Sequence, residues 1–287
     1  MFNHSLKHAD KSFSLNDIKQ QFTVSISQLG IKPPQQLIAD GKIHRFSTND
    51  HPSDDAGWYV LYPDGFPAGA FGDWRTGIQG NWRAEVGRSL SETERQHLFE
   101  REKAIQQARE IDQDTRWKQA RDRAEEIWAK AETAPLDHLY LGEKSVKAYG
   151  LKANSSSLIV PLRLGQTLHS LQFIDATGDK RFLTGGRKTG CYHLIGEPGE
   201  VLCVAEGYAT AASIHEATGD AVAVAFDAGN LQPVGMELAR RYPAARLLFC
   251  ADDDRATDSN PGVSKATNAA KATGGLIAVP SFPVGTS

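Results

Sequence analysis

Residues 201–226 read VLCVAEGYATAASIHEATGDAVAVAF, and residues 246–254 read RLLFCADDD. Three apolar runs, Val201–Ala205, Ala221–Phe226 and Leu247–Ala251, are too brief for helices and rich in Val, Leu and Phe. Flanked by turn residues, they are predicted to be buried strands. Helix-length segments lie between them, Ala209–Thr218 and Leu231–Arg241, and a fourth pair follows, Ser264–Thr273 and Leu276–Pro280. Strand and helix in alternation predict a parallel sheet with right-handed crossovers. Glu206 directly follows the first strand, and Asp252, Asp253 and Asp254 directly follow the third. In open parallel sheets ligands bind beyond the carboxyl ends of the strands, so acids distant in sequence meet at one edge. Carboxylates held close repel one another unless a cation neutralises them. Oxygen donors without Cys or His suit a hard cation, Mg²⁺ or Mn²⁺.

Each signal alone has a plainer reading. A run of aspartates is also an ordinary solvated turn after a strand. Two acidic strand ends on one sheet are harder to explain that way. LLFCADD is similar to a Walker B strand, but no G-x-x-x-x-G-K-[ST] occurs, and GEKS at Gly142–Ser145 lacks the upstream glycine. No G-x-G-x-x-G follows the first strand, so a dinucleotide site has no support. A phosphoacceptor receiver domain also pairs acids on two strands, but its lysine after a later strand has no match here.

The pattern Glu206-Gly207 after one strand and Asp252-Asp253-Asp254 two strands later resembles the Toprim domain, the metal-dependent module of bacterial-type primases, topoisomerases and some nucleases. The flanking residues, EGYATAASI and CADDDRAT, resemble the primase forms in particular, and the block KIHRFST, GWYVLYP and PAGAFGDWRTG at 42–77 resembles the amino-terminal part of primase-helicases carried by prophages and conjugative plasmids. The resemblance implies that Glu206, Asp252 and Asp254 are the catalytic and metal-binding acids. The middle position of the family's Asp-x-Asp is variable, which fits an extended chain whose alternate side chains share a side. It further implies primer synthesis by nucleotidyl transfer on single-stranded DNA from nucleoside triphosphates, for plasmid, phage or mobile-element replication, beside a replicative helicase. A Toprim nuclease and a nucleic-acid-binding accessory fragment are the alternatives. In primases a further acidic motif follows the fourth Toprim strand. The sequence ends at VPSFPVGTS before such a motif, which leads us to expect a piece of a longer protein or a minimal primase relying on partners.

The rest of the chain is expected to support that module. Its 32 basic and 35 acidic side chains give no global basic signal, so any nucleic-acid surface must be local. The 3 cysteines form no C-x-x-C pair, which argues for a reducing cytoplasm and against a zinc module. No signal peptide and no long apolar span are evident, so neither membrane nor export is expected. Residues 1–90 read as a small α+β domain whose strands KIHRFST and GWYVLYP and aromatics Phe46, Trp58, Tyr59, Phe71, Trp74 and Trp82 make either a core or a base-stacking platform. Residues 91–135 read as a long charged helix that links the halves as a solvated spacer, opened by a Ser91–Glu94 capping box. Residues 136–196 read as a mixed β-rich subdomain of the catalytic core, and 197–287 as the Toprim domain with its Rossmann-like parallel sheet. In the subdomain, Arg163, Lys180, Arg181, Arg187 and Lys188 crowd a region otherwise short of charge. They are expected to hold template or triphosphate phosphates, with Arg181 foremost by its resemblance to the family's basic-aromatic-Leu pattern; ordinary exposed hairpin charges are the alternative.

Overall fold

A computed structural model describes residues 14–51, 54–85, 89–155, 157–252 and 260–280. The chain divides into two compact units, Met1–Asp114 and Thr115–Ser287.

In the first unit, helix α1 (Leu15–Gln28) begins at a capping box in which Asp17 N–H donates to Ser14 Oγ over 3.1 Å. Its buried residues Ile18, Phe22 and Ile26 recur every fourth position, the spacing of one helical stripe. They pack on an antiparallel sheet of β1 (His44–Phe46), β2 (Gly57–Tyr62), β3 (Ala68–Asp73) and β4 (Gln79–Arg83), paired in that order. Gly69 permits this contact, because a Cβ there would stand 2.8 Å from the Phe22 ring and 2.5 Å from the Val60 carbonyl. The opposite face of the sheet, with Trp58, Val60 and Ala70, packs against Ile105 of helix α2 (Glu92–Lys130). Phe46, Trp58, Tyr59 and Phe71 are therefore core, and Trp74 alone of the exposed large hydrophobics carries an indole, at 37% exposure.

The expected capping box opens α2, with Glu94 N–H donating to Ser91 Oγ over 3.2 Å. The helix does more than space two halves. The guanidinium of Arg109 lies 4.4 Å from the centre of the Trp58 ring and that of Arg101 4.6 Å from that of Tyr62, each over an aromatic face. Sparse apolar positions concealed this packing role in the sequence.

The second unit holds two sheets. The smaller is antiparallel, in the order β5 (Glu132–Thr133), β6 (Lys152–Ala153), β7 (Ser157–Leu164), β8 (Thr167–Asp175), β9 (Lys180–Phe182), with helix α3 (Leu139–Lys144) inserted after β5. Ala124 of α2 packs with Ile159, Leu168 and Leu171 of this sheet. The larger sheet comprises β10 (His193–Ile195), β11 (Val201–Ala205), β12 (Ala221–Val224), β13 (Arg246–Cys250) and β14 (Leu276–Ala278), in the order β10-β12-β11-β13-β14. The expected parallel strands pair as predicted, and an antiparallel edge strand, β10, adds to them; its three residues were too short to read. Helix α4 (Tyr208–Thr218) covers the face carrying Cys203 and Ala205, while α5 (Leu231–Arg241) and α6 (Pro261–Thr273) cover the face carrying Leu202 and Val204. Burial on both faces explains why these strands are apolar throughout rather than alternating. Tyr140, Leu158 and Ile174 join the α4 side, so the smaller sheet and the larger one share a core. Among the described residues no helix is long and apolar enough to cross a membrane.

His193 on β10 is enclosed in this shared core and reaches the Tyr149 carbonyl at 2.8 Å through Nε2. Burial holds its pKa down at about 4, so the ring stays neutral and Nε2–H donates. A histidine depressed in the folded state contributes stability that is complete above the unfolded value near 6.5 and is lost as pH falls toward about 4. We expect stability to drop by about 3 kcal/mol across that window from this group. His193→Gln, which keeps a donor and never titrates, should be less stable at neutral pH and lose less on acidification. Urea midpoints of both proteins between those limits test this; a gap that stays constant would exclude it.

Candidate active site

Strands β11 and β13 lie side by side and parallel, with Ala205 opposite Cys250. The next residues, Glu206 and Ala251, therefore stand at the same carboxyl edge. Ala251 N–H donates to the Ala278 carbonyl over 2.9 Å, which carries sheet pairing one residue beyond β13 and delivers Asp252 at its end. On the other side of β11, Ala225 and Phe226 N–H donate to the carbonyls of Ala205 (2.8 Å) and Glu206 (2.7 Å). The Glu206 backbone is thus anchored to the neighbouring strand end. Glu206 and Asp252 are half-buried, and Glu206 Oε1 is shielded from solvent. Asp253 and Asp254 lie outside the described residues. Among the described residues no three His, Cys, Asp or Glu side chains are grouped to hold a metal. Glu206 and Asp252 are carboxylates at adjacent strand ends, a donor chemistry that fits a hard divalent cation, with Asp254 expected to complete the set.

A further acid reaches the same edge. Asp227 stands three residues past the end of β12, beyond Ala225 and Phe226, which pair with the Ala205 and Glu206 backbone, and it forms an ion pair with Lys188. Its Oδ1 also accepts the Asn230 N–H at 2.9 Å, capping the short turn at Ala228–Asn230.

The basic candidates separate. Lys180 is exposed at the start of β9, and its ammonium lies against the Glu206-Gly207 turn, since a Cβ on Gly207 would be 3.8 Å from Lys180 Nζ. Lys188 sits 5.3 Å from the Phe182 ring, which meets Phe226 edge-on at 6.1 Å. Both lysines are therefore brought to the acidic edge. Lys180 and Phe182 both face that edge, so Arg181 between them projects from the other side of the strand. Its ion pair there is with Asp179 at 3.6 Å. Arg163 donates to the Gln166 carbonyl at 3.0 Å and lies 5.8 Å from the Trp128 ring, a position within the smaller sheet's own packing. Arg187 lies 5.1 Å from the Trp117 ring and donates from Nε to the Thr189 carbonyl at 3.1 Å.

Asn230, which the sequence reading passed over, ties this arrangement together. Its buried amide accepts Gly190 N–H at 2.8 Å and donates to the carbonyls of Lys188 (3.2 Å), Cys191 (3.1 Å) and Ala225 (2.8 Å). One side chain thus fastens the loop bearing Lys188 to the end of β12. The available signal was the D-x-x-N spacing of Asp227 and Asn230 directly after a strand, a capping pattern at the same edge.

Residues 201–283 match the Toprim domain family, and this part of the chain is a Toprim domain. The chain is also similar over most of its length to DNA primases. It is 34% identical over 265 residues to a DNA primase TraC of Escherichia coli, covering 86% of this chain and 25% of that relative. A second DNA primase TraC of Escherichia coli is 32% identical over 271 residues, covering 85% of this chain and 18% of the relative. The chain thus spans a quarter or less of the length of these relatives. The solved DnaG primase catalytic domain bound to ssDNA shows a loose likeness, with a TM-score of 0.34 at 15% identity over 56% of this chain and 57% of that one. The resemblance read from Glu206-Gly207 and the aspartate triplet is borne out at the level of the domain and of the primase relatives.

Removing the Asn230 amide deprives the Gly190 N–H and the Cys191 and Ala225 carbonyls of this partner, each loss costing about 1–3 kcal/mol, while the Lys188 carbonyl keeps the Cys191 N–H. Asn230→Ala should therefore destabilise the unit by at least about 3 kcal/mol and speed hydrogen exchange at Gly190. Exchange at Gly190 as slow as in the wild type would show that the loop is held by other contacts.

Proposed function

We propose that this chain is the catalytic core of a DNA primase, joining nucleoside triphosphates into short RNA primers on single-stranded DNA. The observation that carries this is the in-register pairing of β11 and β13, which sets Glu206 and Asp252 at neighbouring strand ends within the Toprim domain. Glu206, Asp252 and Asp254 are the residues proposed to hold divalent cations, Mg²⁺ or Mn²⁺. Such cations, when bound, supply charge neutralisation at the attacking and leaving oxygens of an in-line displacement. The protein's own residues do the rest. Lys180 and Lys188 lie where they would hold the phosphates of the incoming nucleotide, as point charges suited to phosphate. The Asp227 pair keeps the Lys188 ammonium from wandering, and Asn230 fixes the loop beneath it. In the alternative to its role as a cation ligand, Glu206 would accept the proton of the primer 3′-hydroxyl as that oxygen attacks the α-phosphate and pyrophosphate leaves.

Incubation of this chain with a radiolabelled ribonucleotide and a single-stranded template tests the proposal. Primer extension is the expected result, and cleavage of the template in its place would assign the edge to a nuclease. Loss of a carboxylate that meets developing charge should cut the rate on the order of 10²-fold or more. Glu206→Gln, Asp252→Asn and Asp254→Asn should each show that loss, while Asp253→Asn keeps most activity because alternate residues of an extended segment point away from the site. Near-normal extension by Asp252→Asn would sink the assignment.

A further inference from the structure

Residues 116–123 of α2 read RWKQARDR, four basic side chains against one acid. Read as sequence, this stretch is part of a solvated spacer. In the second unit it lies instead against the turn that follows β9. Arg123 Nη2 donates to the Thr184 carbonyl at 2.8 Å. A Cβ built on Gly185 would stand 3.8 Å from a guanidinium nitrogen of Arg123 and 3.9 Å from one of Arg116. Gly185 has φ +78°, and without a side chain it leaves the space between those two guanidinium groups open. Arg187 closes the turn and rests on the half-exposed ring of Trp117 at 5.1 Å. His169 lies among the same charges, for burial and then Arg187 and Arg121 hold its pKa down. Arg116, Arg123 and Arg187 thus flank one glycine-bearing turn with an indole beside it, and Arg121 adds its charge near Arg187 at His169.

A turn flanked by several guanidinium groups is complementary to a polyanion. Arg116 and Arg123 bring guanidinium nitrogens to within 3.9 and 3.8 Å of one point over Gly185, a pairing that suits a backbone phosphate, and Arg187 and Lys188 continue the positive charge along the turn. Lys188 follows Arg187 directly and is paired with Asp227 at the acidic edge, so that charge leads from the helix to the site. We infer that the backbone of a single-stranded polynucleotide crosses this arginine-lined turn on its way to the acids, with Trp117 offering a face on which a base stacks. The inference rests on the proposed reaction for its direction and on the turn's geometry for its substance.

Fluorescence anisotropy of a short labelled oligo(dT), titrated across salt concentrations, tests it on this chain without added metal. Each phosphate neutralised on a single strand contributes roughly 0.7 to the salt slope, so the Arg116→Gln/Arg121→Gln/Arg123→Gln variant should lose about 2. The matching triple lysine variant should keep most of the slope, which separates charge from folding. Trp117→Ala should weaken binding severalfold with the slope unchanged, because stacking releases no counterions. A salt slope equal to the wild type's in the glutamine variant overturns the inference while leaving the proposed reaction untouched. A glutamine variant that instead loses affinity for a free nucleoside triphosphate also overturns it, placing the arginines in the nucleotide site. A wild-type chain that shows the slope yet never extends a primer sinks the proposed reaction and leaves the polynucleotide track standing.

Discussion

The register between β11 and β13 is the constraint on which the candidate site depends. Ala205 opposite Cys250 fixes Glu206 and Asp252 at neighbouring strand ends. A slip of one residue would turn Cys203 and Ala205 toward α5 and α6, and Leu202 and Val204 toward α4. Because both faces are covered, every side chain on these strands resists that slip. The acids are thus placed by apolar packing that has nothing to do with their chemistry.

A second constraint joins the two sheets of this unit. Asn230 satisfies groups on both the Lys188–Cys191 loop and the end of β12, in a place too dry for water to substitute. Asp227 beside it performs two tasks, capping the turn through one oxygen and pairing Lys188 through the other. Lys188, in the loop that joins the two sheets, is thereby brought to the acids of the larger one. The charge needed to hold phosphates is local, which reconciles the site with a chain whose net charge is slightly negative.

Much of this was legible in the sequence because the Toprim strands are buried on both sides and so read as uninterrupted apolar runs. Glu206 and Asp252 were singled out by position, as the first polar residues past such runs, and by the resemblance to the Toprim pattern. The antiparallel strand β10 was not found, since three residues between glycine turns carry no periodicity. Asn230 was missed because a buried amide acts through partners distant in sequence. Among the basic residues the sequence put Arg181 foremost, but strand alternation separates it from Lys180, and only the contact with the Glu206-Gly207 turn shows that Lys180 is the one that faces the acids. The arginines of α2 were masked by the mixed charges around them, because a helix dense in both signs looks solvated whichever side it packs.

The central claim is that Glu206 and Asp252 together form a site for a divalent cation. Crystals of this chain soaked in Mn²⁺ and measured at the manganese absorption edge test it most directly. Anomalous density bridging the Glu206 and Asp252 carboxylates, and absent from Glu206→Gln crystals, is the result the account predicts. Manganese bound elsewhere, with these two carboxylates turned apart, would contradict it.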